Sequence, residues 1–165
     1  MKRLIYLGLI GLFLVTACSK KDTKDQTLFD EAQKQMKEEN YPMAMVKYLS
    51  IVKDYPKGDY YAKSLMELGN IYNAKLITTM SPAENEHMAI YYYKKVFNEF
   101  PVSTHAEQAL FLTGFIYANE LKDQDSAKIN YNLFLEKYPN SQLASSVKGE
   151  LQNIGKTPDD VIDKK

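Results

Sequence analysis

The feature that most limits what this chain can fold into is a recurrence around three prolines. Three segments end alike, Asp54-Tyr55-Pro56, Glu99-Phe100-Pro101 and Lys137-Tyr138-Pro139, at spacings of 45 and 38 residues. Thirteen residues after the first two prolines stand Gly69 and Gly114, each followed three residues on by a tyrosine, Tyr72 and Tyr117. Twelve residues before each proline stands an alanine (Ala44, Ala89, Ala127), and eight before each stands a tyrosine (Tyr48, Tyr93, Tyr131). Self-similarity at this period is the mark of a supersecondary unit stacked on copies of itself. Proline has no N–H and clashes with the preceding turn, so each one marks where a helix stops. No segment alternates apolar and polar residues over a strand-like length, so the expected fold is all-α.

The pattern resembles the tetratricopeptide repeat, with small residues at consensus positions 8 and 20, an aromatic at 24 and proline at 32. Leu28, Ala32, Ala44, Tyr48 and Pro56 fill positions 4, 8, 20, 24 and 32 of a first unit. Leu65, Gly69, Tyr72, Ala89, Tyr93 and Pro101 match in a second, and Leu110, Gly114, Tyr117, Ala127, Tyr131 and Pro139 in a third. The resemblance implies a solenoid of three helical hairpins plus a C-terminal capping helix. The physics concurs: small residues let the two helices of a hairpin approach closely, and the aromatic fills the groove between hairpins. Helices are expected over 26–39, 42–54, 60–78, 82–99, 104–121, 124–137 and 141–153.

Local signals sharpen some of these boundaries. Ser81-Pro82-Ala83-Glu84 places an N-cap, a proline at the first helical position and a reciprocal glutamate. Thr104-His105-Ala106-Glu107 reads as a second capping box. The second unit is longer than the others, with 20 residues from Gly69 to Ala89 against 12 from Ala32 to Ala44. With Pro82 starting the second helix, the reading is a taller hairpin whose first helix runs on through Leu76 and Ile77. Its tip then carries Leu76, Ile77 and Met80, either as an exposed apolar knob for a partner or folded back onto the adjacent repeat.

The start of the chain reads as an address. Lys2 and Arg3 precede a 12-residue apolar run, Leu4 to Val15, then Thr16, Ala17 and Cys18. The run is too short to span a bilayer, which takes about 20 apolar residues, and it fits an export signal. Val15-Thr16-Ala17-Cys18 resembles the bacterial lipobox, which implies cleavage after residue 17 and lipidation (diacylglycerol and palmitate) of Cys18. Residues 1–17 are then a signal peptide, 18–27 an acylated cysteine with a flexible tether, 28–154 the repeat domain and 155–165 a polar tail. Ser19 after the cysteine resembles the outer-membrane class of lipoproteins, so the expected location is the periplasmic side of the outer membrane.

Composition narrows the chemistry. Lys plus Arg and Asp plus Glu are both 21, and Arg3 is the sole arginine, so without residues 1–17 the balance is −2. That speaks against a nucleic-acid footprint and leaves no bidentate fork for phosphate. One cysteine and two histidines, His87 and His105, give no metal framework. Glu84-Asn85-Glu86-His87 contains a Glu-x-x-His spacing but reads as a solvated helix start, and Asp159-Asp160 as part of a solvated tail. Tyr91-Tyr92-Tyr93 is unusual. Tyr93 is the repeat's packing aromatic, and the other two turn to different faces, more as packing than as a partner contact. The sequence reads as no enzyme, with no cofactor, no metal and no evident small-molecule substrate.

In the repeat it resembles, the inner face is lined by the first helix of each hairpin. Carried over, the lining is Phe29, Gln33 and Met36 from the first unit, Met66, Asn70 and Asn73 from the second, and Gln108, Phe111, Phe115 and Asn119 from the third. Phe and Met offer pockets, although Phe111 and Phe115 can equally pack on the next helix. Amides carry donor and acceptor together, which suits an extended peptide backbone. Together with the lipobox, this looks like envelope lipoproteins of the barrel-assembly and Tol-Pal coordinator type. The resemblance implies an adaptor for a protein or peptide segment in outer-membrane protein assembly or envelope maintenance. The alternative is an accessory to cell-wall (peptidoglycan) metabolism or cell-division envelope coordination.

Overall fold

The computed structural model describes residues 23–156. The signal peptide, Cys18, most of the tether and the tail from residue 157 lie outside the described residues. Among the described residues seven α-helices follow one another: α1 (Lys24–Lys37), α2 (Tyr41–Asp54), α3 (Tyr61–Asn73), α4 (Pro82–Glu99), α5 (Thr104–Phe115), α6 (Gln124–Lys137) and α7 (Ala144–Asn153). A π-helical turn, Ile116–Glu120, extends α5. Neighbouring helices pack in sequence, α1 on α2, α3 on α4 and α5 on α6, with α2 on α3 and α4 on α5 joining the hairpins. The fold is an all-α, tetratricopeptide-like helical repeat.

The second helix of each hairpin stops by one mechanism. Tyr55, Phe100 and Tyr138 sit at nearly identical angles, φ −130, −132 and −130° with ψ 53, 50 and 55°. Each precedes a proline, whose Cδ bars the residue before it from the helical region. Their carbonyls then accept from Gly58, Ser103 and Ser141 to form a short turn. The first helices end differently, on Glu39, Lys75 and Lys122 with φ of 57, 56 and 57°. At the end of α3, Lys75 N–H bonds to Tyr72 C=O and Leu76 N–H to Ile71 C=O, a left-handed cap on a residue that is not glycine.

Four expected boundaries are corrected. The first helix begins at Lys24, inside the expected tether: Thr23 caps it, and Asp25 is buried with its carboxylate on the Thr23 hydroxyl and the Tyr60 backbone amide. The cap of α5 is Ser103, whose Oγ accepts from Ala106 N at 3.1 Å, and not Thr104. The first helix of the second unit stops at Asn73 instead of residue 78, because Lys75 turns left-handed; residues 74–81 form an irregular loop. The expected α4 start at Pro82 holds, with its capping box complete, and α4 has 18 residues against 14 in α2 and α6. The extra length therefore went into α4 and a loop. Last, α7 starts at Ala144 and not Ser141.

The core forms two clusters. The larger joins the first two hairpins and reaches into α5 and its π turn through Ala109 and Ile116; the smaller holds Leu110, Ala127, Tyr131, Phe134, Ala144 and Val147. The repeat's logic is visible at its tyrosines. A Cβ added to Gly69 lies 2.5 Å from the Tyr93 ring, and one added to Gly114 lies 2.6 Å from the Tyr131 ring. Each glycine thus makes room for the tyrosine of its own hairpin. Ala32, at the same repeat position of the first unit, is fully buried.

Candidate functional site

The first helices α1, α3 and α5 supply the residues expected to line a face, and their polar members form a connected set. Gln33 Nε2 on α1 donates to Tyr48 Oη at 2.7 Å and to Glu67 Oε1 on α3 at 3.4 Å. Asn70 Nδ2 donates to Glu67 Oε2 at 3.4 Å, and Tyr93 Oη donates to Asn70 Oδ1 at 2.9 Å. The chain of contacts Tyr48–Gln33–Glu67–Asn70–Tyr93 spans two hairpins. Both phenols are fully buried. Burial pushes their ionisation well above the usual tyrosine range, and the Glu67 charge adds to the shift. They are therefore neutral hydrogen-bonding groups at any physiological pH.

The expected apolar residues divide. Met66 is 4% exposed and belongs to the core. Phe29 is half-buried, its ring 5.6 Å from Tyr48 and 5.0 Å from Tyr60, and Met36 is half-buried against the same cluster. Phe111 stands 6.3 Å from Phe115 and 6.2 Å from Tyr131, both phenylalanines keeping part of their surface accessible. Asn73 is half-buried and Gln108 is exposed. Asn119 lies on the π turn and donates to Phe115 C=O at 3.2 Å. In the third hairpin Phe115 takes the place that Gln33 and Asn70 hold in the others. As a result Tyr131 Oη is buried without a hydrogen-bond partner.

Glu67, which links the first two hairpins, is absent from the residues expected by repeat position. The signal was there in spacing: it stands three residues before Asn70 and so shares its side of the helix. Leu76, Ile77 and Met80 are half-buried against the larger core cluster, so the exposed-knob alternative for the second hairpin's tip is corrected in favour of folding back. Asn85 holds them there, its Nδ2 facing the carbonyls of Ile77, Met80 and Ser81 at 3.1, 3.3 and 3.1 Å.

The segment from Glu84 to His87 is also not simply solvated. Glu84 caps its own helix and His87 is exposed, but Asn85 and Glu86 are buried. Glu86 pairs with Lys75 Nζ at 3.0 Å, and the same Nζ reaches Glu120 on the π turn at 2.6 Å. That ties the 74–81 loop to both α4 and the third hairpin. In the tyrosine triplet, Tyr93 is buried, Tyr92 stacks on Tyr72 at 5.7 Å with planes 10° apart, and Tyr91 is 54% exposed. Among the described residues no group of histidine, cysteine or carboxylate side chains is placed to hold a metal ion, and no helix is long and apolar enough to cross a membrane.

A family model described as "Tetratricopeptide repeat" matches residues 108–141. That stretch is the third hairpin, from the first turns of α5 to the turn after Pro139. The chain thus contains a tetratricopeptide repeat, and the same proline stop and buried tyrosine recur in the two hairpins before it. No curated protein matches the chain.

Proposed function

We propose that the protein is a non-enzymatic adaptor that is anchored by lipid on Cys18 in a bacterial envelope and holds a segment of another protein against the face formed by α1, α3 and α5. Tetratricopeptide repeats generally bind protein or peptide partners, and the carrying observation is the repeat itself. Phe111 and Phe115 supply half-buried rings, and Gln108 and Asn73 supply amides with no protein partner among the described contacts. The lipobox supports the anchor, and Ser19 supports the outer membrane as its site. The role that fits these together is scaffolding in outer-membrane protein assembly or envelope maintenance.

Two measurements test the reading. Cells fed a fatty-acid analogue should label the wild-type protein and not Cys18→Ala; equal label ends the anchor. The protein immobilised and exposed to solubilised envelope should capture a defined partner that Phe111→Ser with Phe115→Ser loses and Ile129→Ser, at an exposed position of α6, retains. Capture that is indifferent to the phenylalanines removes the proposed face.

A further inference from the structure

The role given to Glu67 rests on α1, α3 and α5 presenting the protein-binding face proposed above. Glu67 is half-buried on α3, at the seam between the first two hairpins. Its two oxygens each accept from one amide, Gln33 Nε2 and Asn70 Nδ2, both at 3.4 Å. Those amides are themselves fixed by Tyr48 and Tyr93, which are rooted in the core. The carboxylate is therefore held in place, yet every group that holds it is neutral. A carboxylate has about four lone-pair sites, and two long contacts leave it under-satisfied.

No described cation forms an ion pair with Glu67. Lys63, one turn earlier on α3, places its Nζ 4.9 Å over the Tyr60 ring instead. An anion partly removed from water beside neutral groups is unfavourable until it is paired. On α1, Phe29 and Met36 stand one turn to either side of Gln33, both half-buried. Such side chains can line the aliphatic stem of a long cationic residue while its head stays polar.

We propose that Glu67 sets the specificity of the face by pairing with a lysine or arginine side chain of the bound protein segment, with the stem of that residue lying along Phe29 and Met36. The pre-fixed carboxylate lowers the ordering cost of the pair, which is the usual route from a surface charge to a selective one.

The test uses the full chain and a set of short fluorescein-labelled peptides of leucine, serine and alanine that differ only at one central residue: lysine, arginine, norleucine or glutamate. Fluorescence anisotropy should show the lysine and arginine peptides binding about tenfold more tightly than norleucine, with glutamate weakest. Glu67→Gln, which keeps the side chain's shape and an acceptor for one of the two long amide contacts, should abolish that order with little change in melting temperature. Independently of any variant, the gap between lysine and norleucine should shrink in the wild type as salt is raised. A lysine preference that survives Glu67→Gln, or that ignores salt, overturns the assignment. Equal affinity for all four peptides, or binding of none, overturns it too. The protein-binding reading is judged separately by the envelope capture and its phenylalanine variants.

Discussion

Three tyrosines occupy one position of the repeat and differ in a single atom's surroundings. Tyr48 Oη takes a hydrogen bond from Gln33 and Tyr93 Oη gives one to Asn70, whereas Tyr131 Oη is buried with none. A typical intramolecular hydrogen bond contributes about 0.5–1.5 kcal/mol net, and an unmade buried one is a penalty. Tyr48→Phe and Tyr93→Phe should each lower stability by about that amount, while Tyr131→Phe should be neutral or stabilising. Urea midpoints of the three variants decide it; a loss at Tyr131→Phe equal to the others would mean its hydroxyl has a partner after all. The glycines make a second contrast. Gly149, inside α7, has nothing within 4 Å of an added Cβ. Gly149→Ala should raise stability by about 1 kcal/mol through helix propensity alone. Gly69→Ala and Gly114→Ala must displace a buried ring and should cost about 1–3 kcal/mol. The same midpoints in Gly149→Ala and Gly69→Ala would refute the packing read from their surroundings.

At the scale of helices and loops, what the sequence made legible was whatever is decided within a few residues. The proline stops after Tyr55, Phe100 and Tyr138 and the capping box at Ser81 are local steric and hydrogen-bonding events, and they fall where the residues say. The end of α3 was not legible, because Lys75 adopts a left-handed conformation that glycine would have announced, whereas α1 and the π turn stop within two residues of the expected 39 and 121. The candidate site shows the same division. Helical spacing puts Gln33, Asn70 and Phe115 at one repeat position, but whether an amide there is free depends on a tyrosine from the next helix. The chemistry that sequence reading missed, Glu67 and the Lys75–Glu86–Glu120 cluster, is built from residues far apart in the chain. This cluster carries a pH prediction. Its hydrogen bond from Lys75 holds the Glu120 carboxyl below the usual range, and bonds to Glu120 and then Glu86 raise Lys75. A depressed carboxyl contributes stability that is present above its unfolded pKa, about 4.3, and is lost as pH falls below it. A raised lysine contributes stability that is lost only as pH climbs past its ordinary value of about 10.4. Between those limits Lys75→Met leaves the buried Glu86 unpaired. It should lower the melting temperature at pH 7 and narrow its gap to the wild type as acid protonates Glu120. A gap unchanged from pH 7 to pH 3 would show that the cluster contributes nothing through charge.

Taken whole, the molecule is a row of hairpins in which each contacts its neighbours, and stability in such a row is approximately a sum of local terms. The two core clusters make the row unequal. The central pair α3 and α4 is packed on both sides, by α2 and by α5, and contributes most of the larger cluster. The terminal helix α7 packs chiefly on α6, and its buried residues are Ala144 and Val147. Opening should therefore start at the C-terminal end, since the free energy of local unfolding follows the buried contacts that hold each unit. Native-state hydrogen exchange should find α7 amides exchanging first, α6 next and α3–α4 last. Val147→Ala sharpens the test, because it removes packing from the smaller cluster, to which α3 and α4 contribute no buried residue. In that variant α7 should exchange faster while protection in α3 and α4 stays at its wild-type value. If protection falls equally in all helices, the repeats unfold as one cooperative unit and the row-like description fails. If it falls at α7 and α6 and spares α3 and α4, the third hairpin can loosen while the Tyr48–Gln33–Glu67–Asn70–Tyr93 chain remains set. Phe111 and Phe115 would then sit on the part of the face that can adapt to a partner, beside a part that cannot.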